Sequence, residues 1–196
     1  MLRPYSVLLV LMLLLRAACG RSVPTNYYAL TAPTEQLNLD RLPRKTLRIA
    51  RVAIPQYLDR EPIVTHKSTV GELHVDSIQI WAEPLNEGIR RILQNTLSPK
   101  LLQTGINVLP LASEETGNYV LFIDVLRLDG ALGGQLDYSC QWRLTEISSN
   151  RTLAEGIFSA QKPLAAATYK EYVQATSTIL HEFGLSLADR IMKAIK

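Results

Sequence analysis

The chain reads as an α+β protein: a mostly antiparallel mixed sheet covered by two long amphipathic helices, in a single domain. Three observations carry this. Leu85, Ile89, Ile92, Leu93, Thr96 and Leu97 recur at 3.6-residue spacing. Tyr172, Thr176, Ile179, Leu180, Phe183, Leu187 and Ile191 do so again near the C-terminus. Between them, Gln135 to Ile147 alternates apolar and polar residues with period two. The chain has 196 residues, 47% hydrophobic and 20% charged, an ordinary globular composition with material for one sizeable core.

The N-terminus reads as a processing signal. Arg3 precedes the apolar run Val7 to Leu15, and Arg16-Ala17-Ala18-Cys19-Gly20 follows. Nine helical residues reach only about 14 Å, short of the ~30 Å hydrocarbon core, so this run does not make a stable span. Ala17-Ala18-Cys19 resembles the bacterial lipobox, although Arg16 stands where an aliphatic residue is usual. The expectation is a signal peptide over 1–18, a lipid anchor on Cys19, a tether over 19–26 and a domain over 27–196. Without the leader's Arg3 and Arg16 the chain carries 19 basic and 18 acidic residues. That balance, with no basic stripe, argues against a nucleic-acid partner.

In chain order, Tyr27 to Leu30 reads as a brief strand and Thr34 to Arg44 as a polar loop. Thr46 to Ile54 reads as a strand whose apolar phase switches between Ile49 and Val52, so that either a bulge intervenes or both faces are buried. Pro55 to Arg60 leaves the sheet and Ile63-Val64 returns to it. Glu72 to Ile80 alternates, with Glu72, His74 and Asp76 on a solvated face and Leu73 and Val75 opposite. It delivers Trp81 to Leu85, a strand-to-helix junction. There Pro84 suits the first helical turn, and Glu83 sets a carboxylate near the helix dipole's positive end. The first helix ends near Pro99 to Gly105.

Ile106 to Leu109 is a further strand. Tyr119 to Leu128 is the most apolar run of the mature chain and predicts a central strand buried on most of both faces. Asp129 to Gly134 reads as a hairpin loop: it lacks the Lys-Ser/Thr ending of a phosphate loop. Leu136, Tyr138, Cys140, Trp142 and Leu144 face inward on the next strand. Ser148 to Arg151 turns, and Leu153 to Ala160 closes a three-stranded meander. A Cys19–Cys140 disulfide is open on paper, but Cys140 reads as a small buried hydrophobe. Gly184 weakens the last helix locally, and His181 lies beside its apolar stripe.

The landmarks Cys19, Tyr27 to Leu30, Val52 to Arg60, Trp81 to Leu85, Asp124-Val125, Asp129-Gly130, Gly133-Gly134 and Trp142 resemble the PqiC-type ABC-transport auxiliary lipoproteins. The resemblance implies a non-enzymatic envelope lipoprotein without cofactor or catalytic residues. It would be an auxiliary part of an MCE-type system that moves phospholipid between the two membranes. Gly20, which is not an Asp, points to the outer membrane. The implied partners are the membrane, through lipid on Cys19, and a periplasmic MCE-type protein; self-association is open. Tyr57, Leu58, Asp59 and Arg60, with Trp81 and Glu83, are the expected partner-binding residues, because a loop with Tyr and Arg beside a rigid junction suits an interface. Two alternatives are a lipid carrier with an apolar pocket between helices and sheet, and a metal-dependent hydrolase using Glu72 and His74, with Asp76 and His66.

Overall fold

A computed structural model describes residues 23–33, 45–67 and 71–195. The leader, Cys19, the loop over Thr34 to Arg44 and Lys196 lie outside them. The described elements are β1 (Asn26–Tyr28), β2 (Lys45–Ile49), β3 (Pro62–His66), β4 (Leu73–Trp81), α1 (Leu85–Leu102), β5 (Ile106–Val108), β6 (Tyr119–Gly130), β7 (Gln135–Glu146), β8 (Arg151–Pro163) and α2 (Tyr169–Ala194).

The strands form two sheets, where one was expected. Three lie in the order β1-β4-β3 and five in the order β5-β2-β6-β7-β8. Antiparallel pairing dominates by length, through the long β6–β7 and β7–β8 ladders. The short pairings of β1 with β4 and of β2 with β5 and β6 are parallel. The division arises at Pro55 to Arg60, where a tight turn takes the chain off β2 and lets β3 and β4 pair separately. Local alternation cannot reveal which strands share hydrogen bonds.

The β2 segment resolves as the bulge. Ile49 pairs with Leu121, the chain slips, and Ala53 rejoins β6 opposite Asp124. Leu47, Ile49 and Val52 thereby all point into the core. The β6 prediction is corrected. Leu121, Ile123 and Val125 are buried, but Phe122 and Leu126 are 39% and 44% exposed. A register shift between Val125 and Arg127 then returns Leu128 to the buried face. The helices lie on one side of this sheet, so a continuous apolar run did not mean burial on both sides. The β4 faces are also corrected: Leu73 and Val75 are exposed, whereas His74 and Asp76 are half-buried.

The meander behaves as its alternation predicts. Leu136, Tyr138, Cys140, Trp142 and Leu144 are all buried. Trp142 lies opposite Gly156, whose missing side chain leaves room for the indole: a Cβ there would stand 3.2 Å from the ring. Asn150 takes φ of 52° to close the β7–β8 turn, a conformation asparagine tolerates better than most residues. Cys140 is free, and burial pushes its thiol up to about 11.

α2 starts at Thr168, whose side chain accepts the Glu171 N–H at 3.2 Å. It packs on β7 and β8. Tyr138, Phe158 and Phe183 fill that interface, with ring centroids 4.8–6.2 Å apart. α1 packs chiefly on α2 and β5. The two helices meet at Gly184, where an added Cβ would lie 2.8 Å from Thr96 Cγ2. The Thr96 hydroxyl donates to Ile92 O at 2.9 Å and lies 3.1 Å from His181 Nδ1. With its single proton given to the carbonyl, Thr96 accepts from His181 Nδ1–H. The glycine that weakens α2 locally is therefore where α1 comes closest.

Two outcomes follow from this packing. Gly184→Ala removes a helix-weakening residue worth about 1 kcal/mol, yet it will destabilise by about 1–3 kcal/mol, because the new methyl enters Thr96. Urea unfolding reads the sign directly. Cys140 will resist alkylation at mildly alkaline pH until the chain unfolds. The unfolded thiol ionises near 9.0 and the folded one near 11, so its contribution to stability is present below the first value and lost as pH rises through the second.

Candidate functional site

The predicted site residues separate into supports and presented groups. Leu58 is 3% and Trp81 7% exposed, so both are core residues. Asp59 and Arg60 are exposed. The turn before them closes on its own backbone: Leu58 N donates to Pro55 O at 2.9 Å, Asp59 N to Gln56 O at 3.2 Å and Arg60 N to Leu58 O at 2.9 Å. Among the described residues, the Asp59 and Arg60 side chains make no ion pair or hydrogen bond, so neither caps the turn.

This turn and the junction meet in space. Trp81 N donates to Glu61 O at 2.8 Å, and Ala82 N donates to Tyr28 O at 2.7 Å. Tyr27, Asp59, Arg60, Glu61 and the stretch from Ile80 to Leu85 together line an open groove of about 400 Å³. Tyr27 is 68% exposed at its rim. Its participation, and that of Glu61, was not legible locally: Tyr27 enters through the parallel pairing with Ile80.

The junction differs from expectation in two details. Pro84 is the cap itself, with φ −51° and ψ 131°, and its carbonyl accepts from Glu87 N and Gly88 N at 3.0 Å each. Glu83 turns to Arg91, two turns into α1, instead of to the free N–H groups. Arg91 Nε donates to Glu83 Oε1 at 3.1 Å, and Nη2 pairs with the same oxygen and donates to Leu30 O at 2.9 Å. Glu83 precedes the cap and lies off the helix, so no helical spacing announced this pair; the extended backbone at Pro84 turns the carboxylate back along α1. It ties the segment after β1, the junction and α1 into one unit. Glu83 is accordingly a support, and the presented side chains of the groove are Asp59, Arg60 and Tyr27.

A second support lies behind the turn. The half-buried Tyr57 hydroxyl donates to Asp129 Oδ2 at 3.4 Å, and Arg127 Nε donates to Asp129 Oδ1 at 2.7 Å. His66 Nε2 lies 3.2 Å from Oδ2, close enough for charge but without hydrogen-bond geometry. Asp129 is 7% exposed. Burial and the Asp129 charge push the Tyr57 phenol above its ordinary value, so it stays a neutral donor. This carboxylate joins the turn, β3 of the small sheet and β6 of the large one. His66 and Asp129 are far apart in sequence, and nothing local announced their meeting.

The hydrolase constellation does not assemble. Glu72 pairs with Lys67 Nζ at 2.7 Å, Asp76 Oδ1 accepts from Ile78 N at 3.1 Å, and His66 goes to Asp129. Among the described residues, no three His, Cys, Asp or Glu side chains gather to hold an ion.

Asp129→Asn will leave Arg127 and Tyr57 facing a weaker acceptor. It should cost about 1–3 kcal/mol in chemical unfolding, since a buried charged acceptor is lost. Glu83→Gln will cost less, its carboxylate being partly solvated.

No curated protein matches the chain. Among solved structures, an uncharacterized protein is 22% identical, with a TM-score of 0.70 over 86% of this chain and 99% of that one. A protein of Xanthomonas campestris is 20% identical, with a TM-score of 0.66 over 86% and 96%. A hypothetical protein of Chlamydia trachomatis is 11% identical, with a TM-score of 0.50 over 77% and 98%. These likenesses concern the fold. The model of the ABC-type transport auxiliary lipoprotein component matches residues 28–188, from Tyr28 of β1 to Ala188 within α2, and so spans both supports and the lining of the groove apart from Tyr27. The chain belongs to the family of ABC-type transport auxiliary lipoprotein components.

Proposed function

We propose that this chain is a non-enzymatic lipoprotein of the cell envelope that engages an MCE-type transport protein through the Asp59–Arg60 groove. Family membership supports the transport role. The observation that carries the site is the convergence of an exposed Arg, Asp and Tyr on a groove whose floor is the buried Trp81. Rigid backing lets an interface bind without first ordering its own loop. Arg and Tyr are the residue types that dominate binding energy once covered.

Anchoring is part of the same reading. Cys19 carries acyl chains such as palmitate in the outer membrane, and residues 19–26 tether the domain, which faces the periplasm. Acyl chains contribute about 0.8 kcal/mol per buried CH₂, so two or three of them hold the protein permanently. Among the described residues no helix is long and apolar enough to cross a membrane. The carrier alternative has less support, because the helix–sheet interface is filled by Tyr138, Phe158, Phe183 and fully buried Leu180.

Two measurements test the reading. The intact mass of protein purified from membranes should show a chain beginning at Cys19 with acyl mass added, lost in Cys19→Ser. Arg60→Glu should lower co-purification with the MCE-type partner by about ten-fold or more while the unfolding midpoint stays put. Unchanged capture would remove the groove from consideration.

A further inference from the structure

The face of the five-stranded sheet turned away from the helices is open and carries a groove of about 600 Å³, larger than the one beside Trp81 and sharing no residue with it. Its side chains fall in rows across the strands. Phe122 pairs with Arg143 and Arg143 with Glu155; Arg51, between the Ile49–Leu121 and Ala53–Asp124 pairings, stands beside Phe122. The first row therefore reads Arg51, Phe122, Arg143, Glu155. The next row reads Ala53, Asp124, Gln141, Ile157. All eight are exposed, Phe122 by 39% and Ile157 by 66%. Arg143 sits over the Phe122 ring at 5.3 Å. Among the described residues, Arg51 and Glu155 have no ion pair within the chain.

These rows are complementary to themselves. Turn a second copy about a two-fold axis lying in the interface along the strands, midway between β6 and β7, and each row is laid on its own reverse. Arg51 then faces the partner's Glu155, and Phe122 faces the partner's Arg143. In the next row Ala53 faces the partner's Ile157, and Asp124 faces the partner's Gln141. Each match occurs twice by symmetry, as an isologous interface requires. Two sheets packed in this way lie about 10 Å apart with strands within about 30° of each other, which keeps the central matches in register.

We propose that this face is a dimer interface occupied by a second copy of the chain, held by two Arg51–Glu155 pairs around a Phe122–Arg143 centre. Aromatic and Arg groups at the middle with charges at the rim are the usual anatomy of such a surface. The proposal is independent of the partner groove: sedimentation reads the one and partner capture the other.

Sedimentation velocity on the full chain in mild detergent, across a concentration series, tests it. The wild type should show a monomer–dimer equilibrium. Arg51→Glu and Glu155→Arg should each weaken it by about ten-fold or more, since each homodimer would then hold two like-charge pairs. Mixing the two variants should restore dimer: in the mixed assembly one contact is the native Arg51–Glu155 pair and the other is the same pair with its signs exchanged. All these side chains are exposed, and an unchanged circular dichroism spectrum will show that the variants fold. A wild type that stays monomeric, an assembly insensitive to either reversal, or a mixture no more dimeric than its components would each overturn the proposal.

Discussion

The contact between Thr96 and Gly184 sets where α1 can lie, and much of the molecule follows from it. α2 is seated on β7 and β8 by its aromatic face. α1 does not rest mainly on the strands; it reaches the core by closing on α2, and only a residue without a side chain permits that approach. Once α1 is placed, its first turn is placed, and with it the junction from Trp81 to Leu85. The groove is thus positioned from the far end of the helix pair.

Charge makes the remaining ties. The Glu83–Arg91 pair locks the helix start to the segment after β1. Asp129 holds the turn, the small sheet and the large sheet at one point. The first pair is partly solvated, so its contribution to net stability is modest. The use of both ties is geometric: the first fixes the junction to α1, and the second links the small sheet to the large one.

The two surfaces are distinguished by their chemistry. The groove beside Trp81 presents Asp59, Arg60 and Tyr27 over a buried indole, a small site of mixed character. The open sheet face presents Phe122 and Ile157 amid charges of both signs. Exposed Phe122 and Ile157 on one face of a long sheet are a liability if left uncovered. The placement of charges on that face, with Arg51 and Glu155 at opposite ends of one row, restricts which surface can cover it.

The sequence by itself determined the two helices and the inward faces of α1, α2 and β7. The 3.6-residue stripes of α1 and α2 and the period-two alternation of β7 are local patterns, and each residue they marked as inward is buried. The bulge after Ile49 was legible as a change of phase, and the turn at Pro55 to Arg60 as a break. Only the tertiary structure decided that the strands form two sheets, that the second face of β6 stays open, that Gly184 receives Thr96, and that Glu83 turns to Arg91 while Tyr57 and His66 meet at Asp129. An apolar residue has the same local signature whether or not another layer arrives to cover it. Pairing between distant strands leaves no mark at either site alone. Packing and long-range charge contacts are properties of the assembled chain, and they set the geometry of the site.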